Sequence, residues 1–335
     1  MQKVFRQVCS WAVLAGLLLT SAPASTTAVE MKPSTVAAVA GAANVDELLA
    51  LLPDADIVAA IDAQRAFAEL LPKLKNISLA GIGKAAAEVE TFARLTGIEP
   101  KQIQAAVLGV KLTETLGRGS GVLLLEGVEV DGTKLTDAVK AAGGELQTSD
   151  HNGKPLYTLT LKPKSGNGGE QTNFALLDNK RMAIGDVPAL KAVLDGGAKN
   201  GKPAAFGKAL KEAKASGLVR FAGNLPEGLR SMLAGQGELF TQVAAVKSIF
   251  GALELNADNS ALLDARLRTA SASEAAQLKE SLHGLVALGK AFLGGNEDPT
   301  MKLYGQLLDQ VKLSVAASDV ALLLPLPKEL MAKVQ

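Results

Sequence analysis

The sequence predicts an α+β fold made of two divergent repeats, each an antiparallel sheet with helices packed on one face. Three observations carry this expectation. Short apolar runs are joined by tight-turn pairs, Asn152-Gly153, Asp178-Asn179 and Ser318-Asp319, which read as antiparallel hairpins. Helical stretches with capping residues lie between those runs rather than after each strand. The order of elements then recurs: strand, helices, two strands, helix, hairpin, helix.

The first repeat is expected over 44–200. Val45–Leu52 reads as a short helix ending at Pro53, and Asp56–Ile61 as a buried strand. Arg65–Leu74 and Leu79–Leu95 read as helices, the second closed by Gly97. Ala105–Leu112 and Gly121–Val130 are apolar strands around a glycine-rich connection, Gly117 to Gly121. Asp131 is placed to cap a helix that Gly143-Gly144 stops. Leu146–Ser149 and Leu156–Leu161 flank Asn152-Gly153, and Lys162–Thr172 reads as a polar loop. Phe174–Leu177 and Arg181–Ile184 form the next hairpin, and Pro188 opens a helix.

The second repeat is expected over 201–335. It runs helix (Ala204–Ala215), strand (Leu218–Gly223), helices (Glu227–Leu233, Leu239–Ala245), strand (Ile249–Asn256) and strand (Ala261–Arg268). That last strand alternates Leu262, Asp264, Arg266 and Arg268 against Leu263, Ala265 and Leu267, so one face is polar. Ser271-Ala272-Ser273-Glu274 is a capping box for a long helix with the apolar stripe Leu278, Leu282, Leu285, Val286 and Phe292. A helix at Thr300–Asp309, the hairpin Val311–Ala316 with Val320–Leu324, and a short helix from Pro327 complete the order.

Ahead of the repeats, Lys3 and Arg6 precede an apolar run from Val8 to Leu19, and Ala22-Pro23-Ala24 follows. This is the three-part pattern of a secretory signal peptide over 1–24, with cleavage expected after Ala24 and Ala28 as the second choice. The apolar run is too short to span a bilayer as a helix. Cleavage would remove Cys9 and Trp11, the only residues of their types. Residues 25–43, rich in Ala and Thr, read as a disordered leader. The expected location is periplasmic or secreted, with no stable membrane span after cleavage.

Composition excludes some roles. Losing Lys3 and Arg6 takes the formal charge from +1 to −1, so no basic excess points to nucleic acid or an anionic membrane. Tyr157 and Tyr304 are the only tyrosines, which disfavours sugar stacking.

Two stretches carry a resemblance. Phe92–Pro100 (FARLTGIEP) and Ala183–Leu190 (AIGDVPAL) resemble, in that order, segments of uncharacterised exported bacterial proteins classed as domains of unknown function. The resemblance implies an envelope location and an α+β fold. It implies no activity and assigns no functional residue.

No catalytic constellation is legible. His151 and His283, the only histidines, read as surface residues, and one per repeat cannot build a zinc site. Gly119-Ser120-Gly121 is too short for a nucleophile elbow, and Gly201-Lys202 runs into Pro203, which breaks a phosphate loop. Glu126, Glu129 and Asp131 are the densest acids near a strand end and read as a solvated terminus rather than a calcium loop. No cofactor, metal or catalytic residue is expected. The reading is a non-enzymatic binder of a protein partner or an apolar ligand. The alternatives are a hydrolase working through carboxylates or a Ser/Lys pair, and a structural or inhibitory module. The stripe Leu278–Phe292 would line either a plain core or a ligand cavity.

Overall fold

The computed structural model describes residues 42–70, 97–98, 102–112, 119–129, 131–161, 170–197, 202–235, 237–294 and 299–330. The signal peptide, nearly all of the leader and the expected helix at Leu79–Leu95 lie outside the described residues. The chain is α+β, and within each unit the paired strands run antiparallel. It divides into two compact units, Gly41–Lys208 and Ala209–Gln335.

The first unit contains β1 (Ile57–Ile61), β2 (Ala105–Leu112), β3 (Gly119–Glu126), β4 (Glu145–His151), β5 (Lys154–Leu161), β6 (Glu170–Leu176) and β7 (Arg181–Gly185). Its helices include α1 (Ala42–Leu51), α2 (Gly132–Ala141), α3 (Val187–Leu194) and α4 (Lys202–Ala205), and after β1 a short helical turn, Ala63–Arg65, runs into a π-helical one, Ala66–Leu70. The strands lie in the order β1-β2-β3-β7-β6-β5-β4.

Helices cover both faces of this sheet, not one. On one face Leu135 and Val139 of α2 share a core with Ala106, Leu125, Leu159, Phe174 and Met182. On the other, Val122, Leu124, Ala175 and Ala183 are fully buried, and the Leu52 side chain that follows α1 comes within 3.0 Å of where a Cβ on Gly109 would stand. Leu190 and Val193 of α3 are buried as well. The cause is visible in β2: Ala105–Val110 is buried at every position. A strand apolar on both faces needs a second layer.

Two sequence expectations shift here. Gly119-Ser120-Gly121 is not a turn but the start of β3, paired with Leu112, Lys111 and Val110. There Gly121 N–H donates to Asp186 Oδ2 at 3.0 Å. A Cβ on Gly185 would stand 2.4 Å from the Gly121 carbonyl oxygen, so the strands close only around glycine. And β6 starts at Glu170, inside the expected loop, because Leu161 and Thr160 of β5 pair with Glu170 and Gln171.

In the second unit, α5 (Gly207–Glu212) leads to β8 (Val219–Gly223), α6 (Glu227–Ala234), α7 (Glu238–Ala244), β9 (Ser248–Leu255), β10 (Ala261–Arg268), α8 (Ala272–Gly294), α9 (Pro299–Asp309), β11 (Lys312–Ala316) and β12 (Asp319–Leu326). The single helix expected at Ala204–Ala215 is two short ones, α4 and α5, separated at Phe206. The strands lie in the order β8-β9-β10-β12-β11.

The long helix α8 covers one face. Ala275, Leu278, Leu282 and Leu285 pack with Leu263, Ala265 and Leu267 of β10 and Val320, Leu322 and Leu324 of β12. Each buried leucine contributes about 1.5–3 kcal/mol. The helix begins with the first bond of its capping box, Ser271 Oγ accepting from Glu274 N–H; the Glu274 carboxylate reaches one residue further back and accepts from Ala270 N–H. Its 23 residues extend about 34 Å, whereas the 8 residues of β10 extend about 26 Å. The helix is thus about 8 Å longer than β10, and its later part lies against α9, where Lys290 Nζ meets Asp309 Oδ1 at 2.7 Å. No described helix is long and apolar enough to cross a membrane.

Candidate functional site

The alternation in β10 puts Asp264, Arg266 and Arg268 on the face away from α8. Register adds neighbours: Phe250 of β9 pairs with Arg266, and Ala252 pairs with Asp264 and with Arg220 of β8. Much of this charge is spent locally. Arg268 donates through Nε and Nη2 to both carboxylate oxygens of Asp319 at 2.9 Å and through Nη2 to Glu212 at 3.1 Å. Its guanidinium carbon stands 4.7 Å from the centre of the Phe250 ring. The bonds from Asp319, then those from Glu212, hold the guanidinium above its ordinary range against a desolvation that opposes them.

Glu254, only 8% exposed, accepts from Lys214 Nζ at 2.6 Å and from Ser216 Oγ at 2.5 Å. These two networks tie the segment after α5 onto the sheet. Between them lies a groove of about 130 Å³ lined by Glu212, Ala213, Lys214, Phe250, Gly251, Asp264 and Arg266. Among the described residues Asp264 and Arg266 have no ionic or hydrogen-bonded partner.

A second, open groove of about 610 Å³ is lined by Gln242 of α7, Ala276, Gln277, Lys279, Glu280 and Ser281 of α8, and Val315 of β11. β11 is the edge strand, and Val315 is 38% exposed. Further along α8, Leu288 is 58% and Phe292 78% exposed.

The residues singled out in the sequence scatter. His151 is not a plain surface residue: its Nε2 lies 3.0 Å from Asp195 Oδ1, which also accepts from Asn152 Nδ2. Lys154 Nζ donates to the Leu194 carbonyl. The β4–β5 hairpin tip is thereby pinned to the C-terminus of α3, where positive charge is favoured. The Asn152 bond first, then His151, holds the Asp195 carboxyl below its usual range despite opposing desolvation. His283 is half-buried in α8.

Asp131 is spent as a helix cap, accepting from Thr133 N–H at 2.9 Å. Glu126 pairs in register with Ala105 and Arg181, and Glu129 faces solvent. Among the described residues no three His, Cys, Asp or Glu side chains gather as metal ligands. Lys202 and Pro203 lie within α4, and Gly201 is outside the described residues. Asp178, Asp195 and Asp258 are held below the ordinary carboxylate range, opposite to what a general acid needs.

The stripe on α8 divides. Leu278, Leu282, Leu285 and Val286 are buried, the first three in the core shared with β10 and β12. Phe292 lies outside that core and is exposed. The apolar pattern runs on past the buried residues, so periodicity alone could not separate them.

No protein-family model matches the chain, and no curated protein matches it. Among solved structures it is similar to two crystal forms of TP0453. Form I shares 12% identity at a TM-score of 0.40, covering 85% of this chain and 95% of that one. Form III shares 9% identity at a TM-score of 0.45, covering 90% and 98%. Likeness at this level carries no functional argument.

Proposed function

We propose that the chain is an exported envelope protein that works by binding a protein partner rather than by catalysis. The observation that carries the binding reading is the solvent face of α8, where Leu288 and Phe292 stand one helical turn apart and are exposed. Exposed apolar side chains in that arrangement are the usual anchors of a protein interface. The near-zero formal charge argues for a polypeptide surface over an anionic one. The apolar-carrier alternative loses support because Leu278, Leu282 and Leu285 are spent in core packing.

The test is a photocross-linking residue placed at Phe292 in the producing cell, with Asp178 on the first unit as control. A discrete adduct from Phe292 alone, lost when Leu288→Ser is added, is the expected result. Identical adducts from both positions, or none, would refute the reading. Export has its own test, the N-terminal sequence of the purified protein. It should start at Ser25, or at Val29 if Ala28 is used. Retention of Met1 would refute export by this route.

We also read the two units as divergent copies. Their strand orders support it: in each, the first three strands are neighbours and the third pairs with the last, β3 with β7 and β10 with β12. The first unit then has one additional hairpin, β4–β5. An experimental structure in which β1, β2, β3 and β7 failed to superpose on β8, β9, β10 and β12 with the same connections would end this reading.

A further inference from the structure

We infer that the groove beside α5 binds a small zwitterion, an α-amino acid with a short side chain or an equivalent amino-carboxylate. The argument is one of unspent charge. Four charged residues line the groove. Glu212 is engaged by Arg268, and Lys214 by Glu254. Asp264 and Arg266 remain, one of each sign, with no described partner.

The two leave the same face of β10 next but one to each other, a Cα spacing of about 6.6 Å. They do not close on one another, and the space between opens into the groove. Arg220 lies in the row of Asp264 two strands away, with Cα atoms about 9.5 Å apart, and among the described residues no hydrogen bond or ion pair joins the two. Arg266 presents a planar fork suited to a carboxylate, and Asp264 accepts from an ammonium. The Phe250 ring and Gly251 supply an uncharged floor between them. A volume of about 130 Å³ takes a molecule the size of alanine, whereas a large aromatic side chain would have to project into solvent.

The groove also has a fixed shape. Its walls are held by Lys214 and Ser216 on Glu254, and by Arg268 on Asp319 and Glu212. Little ordering is then left for a ligand to bring about.

The test is titration of the isotope-labelled full chain with L-alanine, acetate, methylammonium and L-tryptophan, following backbone amides by NMR. L-Alanine should shift the amides of Gly251, Asp264 and Arg266 with a Kd on the order of 1 mM. Acetate and methylammonium should each bind at least about 10-fold more weakly, and L-tryptophan should bind no more tightly than L-alanine. Arg266→Gln and Asp264→Asn should each weaken L-alanine by about 10- to 100-fold. Arg266→Lys should recover only part of the loss, because a point charge replaces the fork. Both side chains are on an open face, so the unliganded melting temperatures should stay close to that of the parent. Absence of localised shifts at about 20 mM alanine, roughly 20 times that Kd, overturns the inference. So does acetate binding as tightly as alanine, which would make the groove a plain anion site. Unchanged alanine binding in both charge-removing variants overturns it as well.

Discussion

Replacing Arg268 by methionine keeps an apolar stem over Phe250 and removes the guanidinium. Asp319 then keeps its negative charge at 14% side-chain exposure and loses both of its donors from Arg268. Breaking a buried pair costs about 3–5 kcal/mol, and an exposed pair about 0–1 kcal/mol. Arg268 itself is 39% exposed, so the pair lies between those limits, at about 2 kcal/mol. Losing the cation from the Phe250 ring adds about 0.5 kcal/mol. Asp319→Ala should cost less, about 1 kcal/mol, because Arg268 retains Glu212, Phe250 and water. The two costs should therefore be unequal, and the double variant should cost less than their sum. Urea unfolding of the three variants, read as a change in midpoint at constant slope, measures this. Arg268→Met within about 0.5 kcal/mol of the parent, or equal costs for both partners, would refute the reasoning.

Three other outcomes are expected. Burial works to raise the Asp178 carboxyl, but the N–H groups of Lys180 and Arg181 and the Arg181 guanidinium hold it below its usual range. Its stabilisation is thus complete above the unfolded carboxylate pKa, about 3.9, and is lost as pH falls through the lower folded value. Asp178→Asn should cost up to about 1 kcal/mol near neutrality, after screening, and nothing once the parent carboxyl is protonated, as paired unfolding curves at the two pH values would record. Gly185→Ala should cost about 1–3 kcal/mol by chemical denaturation, because the new Cβ meets the Gly121 carbonyl; Gly132→Ala, with open space around it, should be near neutral. Leu282→Ala should lower stability by about 2–5 kcal/mol, while Phe292→Ala should change it by under about 0.5 kcal/mol; similar losses for both would mean that Phe292 is covered.

What could be read from the sequence was whatever depends on near neighbours in the chain. The alternation of Ala261–Arg268 gave its strand to the residue. Asn152-Gly153 turns with both residues at positive φ, 54° and 76°. Asp131 and the Ser271 box cap their helices as their positions require. The failures share one cause, a partner far away in the chain. Gly119-Ser120-Gly121 reads locally as a turn, yet pairing with β2 and the approach of Gly185 make it a strand. His151 reads as surface because Asp195 is 44 residues on. The helical layers on both faces of the first sheet follow from β2, whose every-position apolar run was visible but whose second face was not given a cover. The charged groove was half legible: Asp264 and Arg266 stood out on the polar side of β10, but Glu212 and Lys214, which line the groove with them, come from α5 and the segment after it, about 50 residues earlier in the chain.

The interior place of β12 has a consequence for how the protein comes into being. β12 is the last strand among the described residues, yet it lies between β10 and β11. While a chain is still emerging from a ribosome or a translocation pore, β10 has no partner on that side and α8 has only part of its apolar seat. The second unit therefore cannot complete its sheet until Asp319–Leu326 has been delivered. Under the export proposed above, that delay would keep stable structure waiting for the far side of the membrane.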